Sequence, residues 1–477
     1  MSDTIREQSE KQISVMEEPI TNTNDLTEGV IWKKILTFFF PVVLGTLCEQ
    51  LYNAVDAVIV GNFVGSNALA AVGGSAAQII SLLIGFFVGL SSGATVVISQ
   101  YYGARDRKKL EDTVHTAIAF CLVAGAALTL VGMLITPWAL RITNNPEDIM
   151  EDSIRYLRIY FTGTIPLLLF NMGAGILRAV GDSRRPLYYM IFCCFLNIIL
   201  DIVFVAVLKW GVAGAAWATV IALTFSAVLI MINLCGSTDI YRVTLGRIRL
   251  KAEPLGRMMY IGVPTGLESA MYSISNLVIQ AVVNGFGSTV VAACTASGKW
   301  DAVYWAVNNS FGVTITAFAG QAFGAGKYDR MKKTMKVCLA MCAGTGAILS
   351  VLLLVFGRAG IRLFTDNEQV VEYAIRMMWC WVPFYIVFSF IEVLSGMLRG
   401  AGDSIRPAIF VLVGTCLLRI VWCIVVPRRF GTIESVCIAY PVTWVITAIV
   451  FVIYYKKGNW LEYCIRKAGT GKQQGTV

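Results

Sequence analysis

The chain of 477 residues is 57% hydrophobic and only 14% charged, whereas ordinary soluble domains carry about 25% charged residues. This composition excludes a large soluble enzyme and predicts a polytopic membrane protein, because apolar windows of about 20 residues or more recur throughout the chain. The net charge of +9 does not indicate nucleic-acid binding, since the basic residues lie in short loops between the apolar spans.

Twelve apolar spans are predicted, six on each side of a basic connector. Because residues 1–28 are polar and lack the apolar segment of a signal peptide, we interpret them as a disordered cytoplasmic tail. The spans lie at about 31–61, 67–100, 113–140, 149–176, 186–209, 212–236, 256–285, 289–322, 332–357, 370–397, 406–427 and 431–455. The predicted divisions are the tail 1–28, an N-terminal six-helix bundle 29–236, a cytoplasmic linker 237–255, a C-terminal six-helix bundle 256–455 and a cytoplasmic tail 456–477.

The distribution of positive charge predicts the orientation in the membrane. Lys and Arg concentrate in every second loop, as in segments 105–109 and 327–333, whereas the intervening loops 144–152 and 365–369 contain acidic residues. Loops rich in Lys and Arg face the cytoplasm. We therefore predict that both termini are cytoplasmic, which agrees with an even number of spans.

The two halves of the chain are copies of one unit. LRAVGDSRRP at Leu177–Pro186 recurs as LRGAGDSIRP at Leu398–Pro407, 221 positions later, and QYYGA after Gln100 corresponds to QAFGA after Gln321. Because each copy has six spans, the two enter the membrane in the same orientation and form parallel repeats about a pseudo-two-fold axis along the membrane normal. The predicted fold class is an all-α polytopic membrane protein with twelve transmembrane helices in two six-helix bundles.

Polar side chains in the first bundle form the strongest functional signal. Asn53 and Asp56 lie three residues apart in the first span, Asn197 and Asp201 lie four apart in the fifth, and Thr219 lies in the sixth. Their positions place Asp56, Asp201 and Thr219 roughly 8 to 12 Å from the extracellular edge. Such a cluster supplies oxygen ligands for Na⁺, or a carboxyl pair whose mutual repulsion favours one bound proton. A buried structural network is the alternative, although these spans contain no basic partner.

The second bundle has intramembrane residues of both signs, so internal ion pairs and direct substrate contact both stay open. Together with Asn53, these residues are the candidates for a substrate cavity: Glu268, Tyr272, Lys299, Asp301, Glu392 and Arg419. The single histidine and thirteen scattered cysteines without a CxxC pair predict no cofactor and no metal beyond Na⁺. We predict four kink sites at prolines inside the spans, namely Pro41, Pro166, Pro264 and Pro383.

Residues 30–455 resemble the multidrug and toxic compound extrusion (MATE) family, and its DinF-like bacterial branch more than the NorM-like one. The resemblance rests on the 6+6 spans, LYNAVDAVIVG in the first span, SQYYGA after the second, and LRAVGDSRRP followed by NIILD in the fifth. It implies a cation-coupling site in the first bundle and bending of the first helix near Pro41. The NorM-like acidic position is Tyr272 here, and Glu268 lies one turn away. The implied site residues are Asp56, Asn197, Asp201, Thr219 and the carbonyl of Ala215.

The resemblance implies a secondary active antiporter that exports amphipathic, mostly cationic compounds in exchange for H⁺ or Na⁺ by alternating access. We expect a monomer in the bacterial cytoplasmic membrane that binds no nucleic acid. A flippase for a lipid-linked saccharide or another amphiphilic lipid is the alternative, because the wider superfamily contains such proteins, but it should have a basic cavity for pyrophosphate. An enzyme is not expected, since no HExxH, GxSxG or P-loop motif occurs.

Overall fold

The computed structural model describes residues 25–143 and 145–473, and for residues 470–473 the backbone alone. Regular structure in this part of the chain is helical. The first half contains α1 (Ile31–Phe63), α2 (Ser66–Gly73), α3 (Ser75–Gly103), α4 (Arg107–Ile142), α5 (Met150–Thr162), α6 (Thr164–Ala179), α7 (Arg184–Asp201) and α8 (Val212–Gly236). The second half contains α9 (Ala252–Asn284), α10 (Ser288–Gly324), α11 (Tyr328–Val355), α12 (Gly357–Arg362), α13 (Glu368–Trp381), α14 (Tyr385–Ala401), α15 (Ile405–Val411), α16 (Leu418–Phe430), α17 (Ile433–Cys437), α18 (Ala439–Lys457) and α19 (Trp460–Gln473).

All twelve predicted spans correspond to helices. Nine helical segments in the described chain are long and apolar enough to cross a membrane, and α5 with α6 forms a tenth, bent by 49°. The remaining two spans are α9 and α10, which contain 33 and 37 residues and are less apolar. Short turns of π-helix, Ile202–Val207 after α7 and Leu412–Leu417 before α16, interrupt two spans and were not predicted.

Two of the four predicted kink sites lie at helix breaks. Pro166 is the third residue of α6, and Pro383 lies in the 3₁₀ turn between α13 and α14. A proline in a first turn lacks only a hydrogen bond that the helix would not have made. Pro41 and Pro264, in contrast, lie inside α1 and α9, which continue as α-helix on both sides. At Pro41 and Pro264 the α-helix is therefore not interrupted.

The two bundles contact each other through backbone-to-backbone packing of α3 and α9. A Cβ atom added to Gly89 would lie 2.7 Å from the Cα atom of Gly266, and one added to Gly93 would lie 2.3 Å from the carbonyl oxygen of Met258. Small residues allow transmembrane helices to approach this closely, and dispersion contacts between the backbones then stabilise the interface. The glycine stripe of α3 therefore fixes the distance between the bundles.

Glutamines from the repeated QxxGA segments join the bundles where α3 and α10 end. The Nε2 atom of Gln100 donates to the carbonyl oxygen of Gly400 at 2.8 Å, and Nε2 of Gln321 donates to that of Ala179 at 2.7 Å. Both acceptors belong to the last turn of a helix, where carbonyl groups have no intrahelical partner. Each repeat therefore satisfies a free helix end of the other.

The bundles are closed on the side with the basic loops. Phe39 of α1 stacks on Phe311 of α10 with ring centroids 4.0 Å apart, which adds an aromatic contact between the two bundles. Farther along α1, Glu49 and Asn53 are exposed in the middle of a membrane span. Exposed polar groups at this depth indicate a cleft. It opens on the side that the charge distribution predicts to be extracellular.

The chain ends contribute two features beyond the twelve spans. Residues 1–24 of the predicted tail 1–28 lie outside the described residues, whereas Leu26 and Thr27 are buried against the closed side. The predicted tail 456–477 contains α19, whose Tyr463 hydroxyl lies 3.1 Å from that of Tyr260 in α9. Both ends of the described chain therefore pack on the helices.

Candidate functional site

The polar residues of the first bundle meet between α1, α7 and α8. Asn197 Nδ2 donates to Thr219 Oγ1 at 3.5 Å, and the Thr219 hydroxyl donates to the carbonyl oxygen of Ala215 at 3.1 Å. Asp56 and Asp201 are 8% and 0% exposed, and they are close enough to interact electrostatically. The five residues that the resemblance implies therefore occupy one buried cluster.

Four oxygen atoms of this cluster lack a hydrogen-bond partner within the described residues. They are Oδ1 and Oδ2 of Asp201, Oδ1 of Asp56 and Oδ1 of Asn197. Buried polar atoms are normally paired, because leaving one unpaired costs about 1–3 kcal/mol, and more for a charged group. A proton or a small cation would satisfy these atoms. The donor set of carboxylate, amide, hydroxyl and carbonyl oxygens fits Na⁺.

The helix that carries Asp201 changes its geometry at that residue. α7 ends at Asp201, and the six-residue π-helix Ile202–Val207 follows without a break. Ring stacking of Phe204 on Trp210, with centroids 4.8 Å apart, packs the end of this turn. π-helical turns are rare and often occur at functional sites, because the inserted residue redirects the side chains that follow.

Two tyrosines missing from the predicted site lie beside the carboxylates. Tyr156 of α5 interacts electrostatically with both Asp56 and Asp201, and Tyr160, one turn later, interacts with Asp56. Their i, i+4 spacing places them on one face of α5. That spacing was available in the sequence, but tyrosines at a predicted helix end are equally typical of membrane-interface anchors.

Glu49 and Arg178 were also absent from the predicted site. Glu49 precedes Asn53 by four residues and Asp56 by seven, so the three share one face of α1. Its carboxylate interacts electrostatically with Arg178 at the end of α6, and the Nε atom of Arg178 is buried without a hydrogen-bond partner in the described structure. The spacing could have revealed Glu49.

An analogous group surrounds Arg399, the counterpart of Arg178 in the second bundle. Glu268 and Glu392 both interact electrostatically with Arg399, and Tyr272 interacts with both acids. Oε2 of Glu268 and Nε of Arg399 are buried without a hydrogen-bond partner in the described residues. The structure thus brings three of the predicted cavity residues together around an arginine that the prediction did not include.

Asp301 lies apart from this group, in a cavity of about 310 Å³ within the second bundle. Its Oδ2 atom accepts a 2.6 Å hydrogen bond from the Tyr385 hydroxyl. The indole N–H group of Trp444 is buried and has no acceptor in the described structure. Aromatic side chains dominate the wall, namely Trp305, Trp381, Tyr385, Tyr440 and Trp444.

Lys299 and Arg419 do not pair with the acids of the second bundle. Within the described residues, no salt bridge joins any two of the charged residues proposed for the cavity. Lys299 is exposed, with Nζ 5.9 Å from the ring centre of Phe364. Arg419 is buried, and its Cζ atom lies 4.4 Å from the ring centre of Tyr440. The geometry therefore does not support internal ion pairs between these residues.

Comparison with known proteins matches nearly the whole chain. The MatE family model matches residues 41–203 and 264–425, which are the two repeats. The probable multidrug resistance proteins YoeA and YpnP of Bacillus subtilis are 26% and 25% identical, covering 92% and 91% of this chain and 96% and 97% of their own lengths. The multidrug export protein MepA of Staphylococcus saprophyticus is 22% identical, covering 86% of this chain and 94% of its own length.

Solved structures support the same fold. A MOP superfamily transporter from Pyrococcus furiosus gives a TM-score of 0.85 at 24% identity, covering 92% of this chain and 98% of its own. A MATE protein in a straight conformation also gives 0.85 at 24% identity, covering 93% and 99%. A MATE protein in a bent conformation gives 0.83 at 22% identity, covering 96% and 100%. The predicted fold of twelve helices in two bundles is confirmed.

Proposed function

The chain belongs to the MatE family of membrane transporters, and we propose that it exports amphipathic, mostly cationic compounds in exchange for H⁺ or Na⁺. Family membership makes it a transport protein rather than an enzyme, and such transporters act without a cofactor. The names of its relatives as multidrug resistance and export proteins support drug export. The bacterial cytoplasmic membrane is the proposed location, with both termini in the cytoplasm.

The observation that carries the coupling proposal is the pair Asp56 and Asp201. Both carboxylates are buried, and they have unpaired oxygen atoms close to Asn197 and Thr219. Two like charges at this depth are strongly unfavourable unless a cation or proton accompanies them. Binding of the coupling ion at this cluster would therefore be tight when the carboxylates are close, and its release would require them to separate or rehydrate.

Exchange requires that substrate and ion favour different states of the transporter. In the proposed cycle the bundles rock about the glycine contact between α3 and α9, and α1 bends near Pro41. Proline lacks the N–H group that would bond one turn earlier, so bending at Pro41 breaks fewer hydrogen bonds. A bend there would move Asp56 relative to Asp201 on α7 and thereby couple ion binding to the cleft.

The cleft and the aromatic cavity are the proposed substrate region. Asn53, Glu268, Tyr272 and Glu392 are the proposed substrate contacts of the cleft, and Asp301 provides a carboxylate inside the aromatic cavity. Aromatic faces attract organic cations through cation–π contact, most strongly when water is excluded. A cavity of about 310 Å³ lies within the size range of small-molecule sites.

The charge of the cleft argues against the flippase alternative. Arg178 and Arg399 are cations that a pyrophosphate group could contact, but Glu49 accompanies the first, and Glu268 and Glu392 accompany the second. Three acids with two arginines favour cationic over anionic ligands. This balance supports a cationic drug rather than a lipid-linked saccharide.

Reconstituted vesicles test the proposal directly. A fluorescent cationic dye should move against its gradient when a pH gradient or a Na⁺ gradient is imposed, and applying each gradient alone identifies the coupling ion. Dye flux that is independent of both gradients would contradict the antiporter proposal. Transfer of a labelled lipid without dye transport would favour the flippase.

A further inference from the structure

The two glutamines that bridge the bundles satisfy a specific need of the repeated loop. In both copies, the main-chain N–H groups of the Gly-Asp pair bond back to the helix. Gly181 and Asp182 bond to the carbonyls of Arg178 and Leu177, and in the second copy Gly402 and Asp403 bond to those of Arg399 and Leu398. This is a Schellman arrangement, which leaves the next carbonyl of the last turn free. That carbonyl belongs to Ala179 in one copy and to Gly400 in the other, and a glutamine of the opposite bundle bonds to each.

We infer that Gln100 and Gln321 are gating residues that hold the bundles closed on the side of the basic loops. The glutamines are 7% and 0% exposed. When the bundles separate on this side, water can replace each bond, so the closed state alone benefits from the direct contact. A variant that lacks the amide leaves a buried carbonyl unpaired in the closed state only. The variant should therefore shift the population toward the state that is open on this side.

The contact is not symmetric, because a short segment of the chain start reinforces one side of it. The Oε1 atom of Gln321 accepts a 3.1 Å hydrogen bond from the main-chain N–H of Leu26. Lys327 Nζ donates to Thr27 Oγ1 at 3.1 Å, and Arg330 donates to the carbonyl of Gly29 at 3.0 Å. Gln321 thus joins three parts of the chain: the first bundle, the second bundle and the segment 25–29.

The segment 25–29 therefore acts as a strap across the seam, which is the closed contact between the bundles at Gln100 and Gln321. It leads directly into α1 of the first bundle, while its hydrogen bonds go to Gln321, Lys327 and Arg330 of the second. Opening of this side must break those bonds or carry the strap with one bundle. The inference assumes the alternating access of the proposed function, but it is independent of which compound or coupling ion is used.

A cysteine introduced at position 99 by Ser99→Cys would report opening of the seam. The Ser99 hydroxyl oxygen would lie 2.0 Å from a Cβ atom added to Gly320 of the other bundle, and Ser99 is fully buried. In the full chain with Ser99→Cys, N-ethylmaleimide modification of Cys at this site would be measured by peptide mass spectrometry, which separates it from the native cysteines. When closing is fast, the modification rate is proportional to the open population. Dividing the modification rate of each folded variant by the rate of the same variant in denaturant removes local sequence effects.

We expect Gln100→Ala to raise the modification rate about fivefold, which corresponds to about 1 kcal/mol for one hydrogen bond. Gln321→Ala should raise it by a further severalfold, because it also breaks the bond to Leu26. Deletion of residues 2–28 should make the modification rates of the two glutamine variants equal. Leu26→Pro, which removes the N–H group that bonds to Gln321, should also bring the two rates closer together.

The outcomes separate the two parts of the inference. Rates within twofold of the parent for both glutamine variants would overturn the gating role. Equal rates for the two variants in the full chain would overturn the strap. Loss of dye transport with an unchanged pattern of Cys modification rates would contradict the proposed function and leave the gating role intact. Failure of the proposed function and failure of the gating role therefore give different results.

Discussion

The carboxylate of Glu49 and the guanidinium of Arg178 interact across the first bundle, as Glu268 and Arg399 do across the second. The two arginines occupy equivalent positions of the repeat, whereas the two glutamates do not, since the first helices of the two copies align Pro41 with Pro264 and therefore Glu49 with Tyr272. Each bundle has thus acquired an acid near the same arginine from a different turn of its first helix. An acidic partner at this depth reduces the electrostatic penalty of burying an arginine.

Removal of either acid should therefore destabilise the cleft. We expect Glu49→Gln to lower thermal stability in detergent by less than about 1 kcal/mol, because Glu49 is exposed, and Glu268→Gln by about 1–3 kcal/mol, because each change leaves a partly buried guanidinium with less compensation. Fluorescence-detected unfolding of the purified protein measures the change. The double variants Glu49→Gln/Arg178→Gln and Glu268→Gln/Arg399→Gln should recover part of the loss. Additive losses would mean that the pairs do not interact.

Neutralising one carboxylate of the ion cluster should stop coupled efflux. We expect Asp56→Asn and Asp201→Asn to reduce gradient-driven dye export about tenfold or more, because an amide cannot carry the proton or balance the Na⁺ charge. Export from vesicles and the amount of protein in the membrane are measured together. Asp366→Asn, in an exposed loop, serves as the matched control and should transport normally. Full export by Asp201→Asn would remove the site assignment.

The pH dependence of substrate binding should reveal competition at the same cluster. If a cationic substrate and a proton favour different states, binding of the substrate releases protons, and its apparent affinity rises with pH by at most about tenfold per pH unit for one proton. The measurement is dye binding to purified protein at constant ionic strength. Asp201→Asn should flatten the profile. An unchanged slope in that variant would assign the proton to another group.

The aromatic cavity should select for cationic aromatic substrates. We expect Asp301→Asn to weaken binding of such a dye about tenfold, which is the size of a desolvated charge or cation–π contact. The neighbouring Lys299→Gln is the matched control, because its ammonium group lies near Phe364 rather than in the cavity. Fluorescence titration measures both. A larger effect in Lys299→Gln than in Asp301→Asn would contradict a substrate role for the cavity.

The glycine stripe between the bundles should tolerate no added methyl group. Gly93→Ala should destabilise the protein by about 1–3 kcal/mol, since its Cβ atom would lie 2.3 Å from the carbonyl oxygen of Met258. Gly344→Ala, within α11, has no atom within 4 Å of the added carbon and should be neutral or stabilising. Thermal unfolding of both variants in one detergent decides the comparison.

The sequence by itself determined the spans, the repeat and the polar residues that we propose for ion coupling. Long apolar stretches predict membrane-spanning helices, because the thickness of the bilayer determines how many residues a helix needs to cross it. Polar residues such as Asp56 and Asp201 are conspicuous there, since a carboxylate in an apolar span has few acceptable environments. The repeated Gly-Asp pair lies where two helices end, and Gly181 and Gly402 adopt positive φ there, at 92° and 100°.

Only the tertiary structure decided which polar groups meet. Gln321 and Ala179 are 142 residues apart, and nothing in either segment specifies the other. The same holds for Arg419, which was open to an ion pair and instead packs on the face of Tyr440. Periodicity shows which side chains share one helix face, but it does not show which faces meet. That choice depends on how all twelve helices pack together, and the backbone contact of α3 with α9 is one part of that packing.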